Sequence, residues 1–206
     1  MDNWQVRTVY EPAKWLDEHC GGWQFGESGY LAALAERLGV NQAIEIGAGD
    51  GGQDLPLTLL PLYQKGIPAI LFEQDELRQQ ALKQVYPLAD VRGKYNFPPL
   101  TTNRFAGVVV DVDSIDLDIA GDVAFKMRPA FICVEHFDAA FSPSTLGDIP
   151  EWLWGKRLEQ GGFVLQATIG QILDRLGGEI CDYAIIALSR VNSIYVRRDL
   201  LPALEG

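Results

Sequence analysis

The sequence predicts an α/β sandwich whose sheet is mostly parallel and finishes in an antiparallel hairpin. Three observations lead there. Short apolar runs, most of them ending on an acid, alternate with segments of helical spacing, the pattern of a doubly wound sheet. The first such run, Ala43-Ile44-Glu45-Ile46, passes into Gly47-Ala48-Gly49-Asp50-Gly51, where glycines recur at every second position. The last two β-rich runs, Tyr183–Leu188 and Ser193–Arg197, are joined by too few residues for a parallel crossover, so they pair antiparallel.

The elements follow in chain order. Residues 1–22 read as an N-terminal helical extension and 23–206 as a single domain. The extension carries Trp4, Trp15 and the Gly21-Gly22 pair, with a short helix expected over Pro12–Cys20 that turns Trp15 and Leu16 inward. Leu31, Leu34, Ala35 and Leu38 mark one helical face, and Gly39 supplies the stop. A strand over Gln42–Ile46 leads into the glycine turn. Pro56 and Pro61 then break the following helix, because a proline in a helix interior costs about 3 kcal/mol or more. A long loop and a short helix are expected there. Ala69–Phe72 is the second strand, Asp75–Val85 a helix with Leu77, Ala81 and Val85 inward, and Ala89–Tyr95 holds a weak third strand. Gly107–Val110 is the fourth. Ile115, Ile119, Val123 and Met127 give a helix stopped by Arg128-Pro129, and Ala130–Val134 is the fifth strand. Thr168-Ile169-Gly170-Gln171 has the form of a capping box, with Ile169, Ile172, Leu173 and Leu176 on one face and Gly177 at the end.

Composition bounds the function. The 206 residues suffice for one full core. A net charge of −11 argues against a nucleic-acid backbone as the partner, which would need clustered Lys and Arg. Three widely spaced cysteines, Cys20, Cys133 and Cys181, suggest neither a disulfide framework nor a zinc knuckle and fit a reduced, cytoplasmic setting. No signal peptide or membrane-length apolar run is visible, so no membrane partner is expected. A homodimer is left open.

The glycine turn admits a nucleotide-like ligand against bare backbone. Glu73 ends the next strand about twenty residues on, where an acid can accept hydrogen bonds from ribose hydroxyls. The dinucleotide fingerprint needs two residues between its second and third glycines, and here Asp50 stands alone between Gly49 and Gly51. That spacing disfavours NAD.

Three blocks carry a family likeness: Phe25-Gly26-Glu27-Ser28-Gly29-Tyr30-Leu31 ahead of Glu45-Ile46-Gly47-Ala48-Gly49-Asp50-Gly51, then Asp111-Val112-Asp113-Ser114-Ile115-Asp116 before Val134-Glu135-His136, and finally Val191–Leu200. Together they resemble the class I S-adenosylmethionine-dependent methyltransferases, and most closely the FkbM-type methyltransferases and their small relatives. The resemblance implies a Rossmann-like methyltransferase sandwich with a mostly parallel seven-stranded sheet and a C-terminal antiparallel hairpin. It implies S-adenosyl-L-methionine as cofactor, with Glu45, Gly47, Ala48, Gly49 and Gly51 cradling the methionine portion, Glu73 on the ribose, Gln74 beside the adenine and Asp111 near the transferred methyl. Methyl transfer to an oxygen of a small molecule is the expected reaction, with Asp111, Glu135 or His136 taking the acceptor's proton.

Blander readings stand beside these. One alternative is a ligand-binding module of the same fold without turnover. Asp111 and Asp113 would also suit a Mg²⁺-dependent phosphatase, although that motif normally opens its fold and no second acidic pair follows; no metal ligands are assigned. Asp116 and Asp118 read as acids on a solvated first helical turn, where they complement the dipole. His136 reads equally as a surface histidine, Asn192 as a turn former, and Trp152 and Trp154 as a lid over the acceptor or the anchor of a long loop. His19 and Cys133 read as structural.

Overall fold

The computed structural model describes residues 5–22, 26–52, 57–96, 103–112, 116–136, 169–178, 180–189 and 191–205. The expectations placed on Trp4, Phe25, Pro56, Asp113, Ser114, Ile115, Trp152, Trp154, Thr168 and the side chain of Ile169 lie outside the described residues.

The chain runs β1 (Arg7–Thr8), a 3-10 helix (Glu11–His19), α1 (Glu27–Arg37), β2 (Gln42–Ile46), α2 (Leu60–Gln64), β3 (Ala69–Phe72) and α3 (Glu76–Val85). It continues through β4 (Asp90–Arg92), β5 (Ala106–Val110), α4 (Asp116–Lys126), β6 (Phe131–Glu135), α5 (Ile169–Gly177), β7 (Tyr183–Leu188) and β8 (Asn192–Arg197), with a closing 3-10 helix (Arg198–Leu204). The strands form one sheet in the order β1-β7-β8-β6-β5-β2-β3-β4. β2 to β6 are parallel, whereas β8 runs antiparallel to both β6 and β7.

Side chains alternate across the sheet and so build two cores. Ala43, Leu71, Val109, Cys133 and Ile194 pack on one face with Leu31 and Leu34 of α1, Leu62 of α2 and Leu82 of α3. Ile44, Ile46, Val108, Val110, Ile132 and Val134 pack on the other with Ile119 and Val123 of α4 and Ile172 and Leu176 of α5. The α1 stripe read from the sequence is buried throughout, from Leu31 to Leu38, and Met127 is buried as its spacing requires. The proline-broken region holds only the five-residue α2.

Two features differ from the expectation. The N-terminal segment contributes an eighth strand: β1 pairs antiparallel with β7, Arg7 opposite Leu188 and Thr8 opposite Ala187. Two residues carry no periodicity, so the strand leaves no trace in the sequence. The second difference is the phase of α3. Leu77 is 76% exposed and Val85 49%, while Leu82 is fully buried. Asp75 caps this helix by accepting from Leu77 N and Arg78 N, and the inward positions are Leu82 and Tyr86, four apart. Gly51 sets that phase, because the space a Cβ would need there is filled by Leu82 Cδ2 and the Tyr86 ring.

Long polar ties lock the hairpin to the sheet. Tyr183 Oη donates to Pro129 O at 2.6 Å, both buried. Tyr183→Phe should lower stability by about 1 kcal/mol, read as a fall in urea midpoint with an unchanged slope.

Candidate functional site

The register builds the site. The last fully paired row across the sheet runs Phe72, Ile46, Val110, Val134 and Ser193. One position further toward the carboxyl edge stand Glu73, Gly47, Asp111, Glu135 and Asn192, with Glu135 and Asn192 themselves paired. By alternation this row lies two residues beyond Leu71, Glu45, Val109, Cys133 and Ile194, so it belongs to the face covered by α1. Open α/β sheets place ligands at this edge.

The turn after β2 is pinned to its neighbours on both sides. Gly47 N and Ala48 N both donate to Phe72 O, at 2.9 and 3.1 Å, and Asp111 N donates to Ile46 O at 2.9 Å. Gly47 has φ +91, and a Cβ there would collide with the Asp111 carbonyl. Beyond it, Gly49 N donates to Glu73 Oε2 at 3.0 Å, while Glu73 Oε1 accepts from Asp75 N at 2.9 Å. The glycine turn and the acid on the adjacent strand therefore face each other across a single hydrogen bond.

Three predicted members also have structural contacts of their own. Glu45 accepts from Thr58 N (2.8 Å) and Leu59 N (3.2 Å), so its carboxylate holds the approach to α2. Ala48 is buried in the core, and Gly51 packs under α3. Gln74 is exposed beside Glu73. His136 is 2% exposed, contrary to a surface histidine, and its backbone N donates to Val191 O at 2.7 Å. Asp118 is exposed as expected of a first-turn acid, but Asp116 is 1% exposed and accepts from Val112 N at 2.8 Å, which fixes the chain beyond Asp111. Asn192 is not in a turn. It opens β8 and is buried.

Its amide shows what the sequence reading missed. Asn192 Nδ2 donates to Glu27 Oε2 at 2.8 Å, and Glu27 is completely buried. α1 runs down one face and β2 returns parallel to the sheet, so the first turn of α1 reaches the same edge as the row. Glycines set it there: Gly21 N donates to Gly26 O, Gly29 N donates to Gly21 O, and a Cβ on Gly29 would strike the His19 carbonyl. A charged residue interrupting a glycine-rich block directly before an apolar helical stripe was the available signal.

Carboxylates crowd this edge. Burial pushes the Glu27 carboxyl up to about 7; the Ser189 hydroxyl and the Asn192 amide oppose the rise, and Asp111 adds to it. Glu45 is likewise pushed to about 7 by burial, against the N–H groups of Thr58 and Leu59 and with help from Asp111. The Cys133 thiol is driven well above its usual range by burial, and by Glu27, Asp111, Glu45 and Glu135. It stays a thiol. Among the described residues no group of three or more His, Cys, Asp or Glu is arranged to hold a metal ion. No helix among them is long and apolar enough to cross a membrane.

No protein-family model and no curated protein matches the chain by sequence. Solved structures do match in three dimensions. The CcbJ methyltransferase from Streptomyces caelestis superposes with a TM-score of 0.54 at 14% identity, over 83% of this chain and 93% of that one. The fold is that of the class I methyltransferases. The same fold is seen in SAM-bound CalS10, an amino pentose methyltransferase from Micromonospora echinaspora (TM-score 0.52, 11% identity, 81% of this chain and 89% of that one). Magnesium protoporphyrin IX methyltransferase from Synechocystis PCC 6803, with bound SAH, gives 0.51 at 14% identity over 82% and 80%. At these identities the likeness to each is one of fold.

Proposed function

We propose that the protein is an S-adenosyl-L-methionine-dependent methyltransferase that methylates an oxygen of a small molecule. The observation that carries this reading is the meeting of Glu73 with the Gly49 N–H at the carboxyl edge. An adenosyl ligand needs an acid for its ribose and bare backbone beside it, on neighbouring strands, and both are here within one hydrogen bond of each other. The residues fit such a ligand. An ionised carboxylate offers about four acceptor positions, and two backbone N–H groups occupy Glu73, which leaves room for ribose hydroxyls. Gly47 and Gly49 would line the methionine side, with Gln74 exposed toward the adenine. The kinship with FkbM-type enzymes rests on the three sequence blocks, and the assignment of residues 1–22 as an extension on a single domain is part of the same reading.

When bound, the sulfonium supplies a methyl group already primed for transfer. The chain's part is alignment and proton removal. Asp111, Glu135 and His136 stand at the ends of adjacent strands, where one of them takes the hydroxyl proton of the acceptor.

Calorimetry with S-adenosylhomocysteine tests the reading. The wild type should bind it, and Glu73→Ala should weaken binding by about 1–3 kcal/mol. Unchanged affinity would remove Glu73 from the ribose. Incubation with labelled methyl donor and cell extract then distinguishes turnover from binding alone.

A further inference from the structure

Glu27 stands apart from every other acid at the carboxyl edge. Its side chain is fully buried, Asn192 holds one carboxylate oxygen, and the other, Oε1, has no hydrogen-bond partner among the described residues. A buried carboxylate oxygen left in this way is costly unless something complements it. The charge that acts on it from the neighbouring strands is that of an acid. Asp111 acts directly on Glu27, and Cys133, one row below, feels Glu27, Asp111, Glu45 and Glu135 together. The field at this point is negative, and the missing partner is a cation that donates hydrogen bonds.

Position narrows the choice. Asp111 presses its carbonyl against Gly47, the first residue of the glycine turn, and Asp111 is also the acid that acts on Glu27. Glu73 lies at the opposite end of the same row, two strands away across β2. A ligand whose ribose meets Glu73 and whose body crosses Gly47 arrives over Asp111 with its amino-acid arm. That arm ends in an ammonium group.

We propose that Glu27 Oε1 receives the α-ammonium of the cofactor's methionine arm, an assignment that rests on the methyl-donor reading. A carboxylate presented by the first turn of α1 and held by Asn192 gives the ammonium a charge-assisted hydrogen bond in a low-dielectric setting. The negative edge also favours the cationic donor over its neutral thioether product at the sulfur. Glu27 is thus a cofactor-binding residue contributed from outside the glycine turn.

The test compares two probes that differ by this group: S-adenosylhomocysteine, which carries the ammonium, and 5′-methylthioadenosine, which lacks the amino-acid arm. Glu27→Gln keeps the shape and removes the charge. It should weaken S-adenosylhomocysteine by about tenfold or more and leave 5′-methylthioadenosine unchanged. Equal loss for both probes, or loss for neither, overturns the inference while leaving the methyl-donor reading intact. Failure of the wild type to bind either probe overturns that reading and the inference with it. Should the variant not fold, the wild type alone decides. With part of Glu27 protonated before binding, an arriving ammonium expels that proton. At about pH 6.5, calorimetry in buffers of different ionisation enthalpy should show proton release with S-adenosylhomocysteine and none with 5′-methylthioadenosine. The groups that share this environment are Glu45, Asp111, Cys133, Glu135, His136, Ser189 and Asn192, and both probes meet them alike apart from the arm. Equal proton release for the two probes overturns the inference.

Discussion

Gly47→Ala should destabilise the protein by about 3–4 kcal/mol and abolish adenosyl-ligand binding in what remains folded. Two costs combine. Gly47 sits at φ +91, a conformation that costs an L residue about 1–2 kcal/mol. Its missing Cβ is also the space taken by the Asp111 carbonyl, with Val112 Cγ1 3.1 Å from the same point. These are not soft neighbours. Asp111 is tied through its N–H to Ile46 O, and Val112 N is held by Asp116, so neither strand end can withdraw without losing a buried hydrogen bond. Overpacking against such a wall adds about 1–3 kcal/mol. At this chain length each kcal/mol moves the melting temperature by about 2–4 °C, so a fall of about 10 °C is expected. Gly39→Ala is the control. Gly39 has φ +66 with open space around its Cβ position, and should lose only about 1 kcal/mol. Similar losses at the two positions would show that the approach of β5 to the turn is not what requires Gly47.

Parts of this site were legible in the sequence and others were not, for reasons of register and chain direction. Each strand that builds the edge is an apolar run that stops at a polar residue or a glycine. The row Glu73, Gly47, Asp111, Glu135 is therefore written along the chain as four endings of one kind. Register between parallel strands only brings those endings level. Asn192 escaped because β8 runs the other way, so its edge residue is its first, and an asparagine between two strands resembles a turn former until the pairing with Glu135 is known. The contacts of Glu45 went unread for the opposite reason. It lies inside its strand, and alternation turns it under the edge toward Thr58 and Leu59, a contact that depends on the path of a proline-broken segment. The α3 face slipped by one residue because its phase is fixed by Gly51 and the Asp75 cap rather than by its own composition. Glu27 needed the whole tertiary structure. Its burial follows from glycine contacts between the N-terminal segment and α1, of which the glycine-rich block around a lone acid is the one trace in the sequence.

Stability should fall as pH rises from about 5.5 to 8, the reverse of an ordinary acid-sensitive protein, and Glu27 and Glu45 should account for the fall. Burial raises both carboxyls from 4.5 to about 7. Between those values the folded state holds protons that the unfolded chain has released. Stability supplied by the neutral form is therefore complete below the unfolded value and lost as pH climbs through about 7. Across the window each glutamate contributes on the order of 2 kcal/mol, and less jointly, because both act on Asp111. Urea midpoints at about pH 5.5 and 8, compared between wild type, Glu27→Gln and Glu45→Gln, check this. Each variant should be flatter than the wild type, and Glu45→Gln should also lose stability at every pH because an amide serves the Thr58 and Leu59 N–H groups less well. A wild type no steeper than its variants would mean that both side chains are already charged in the folded protein. The same experiment reaches the ligand site. Saturating S-adenosylhomocysteine should flatten the wild-type profile where Glu27 titrates and leave the Glu45 contribution in place, because only the first carboxylate gains a cation. Flattening that persists in Glu27→Gln would move the cationic contact to another acid of the edge.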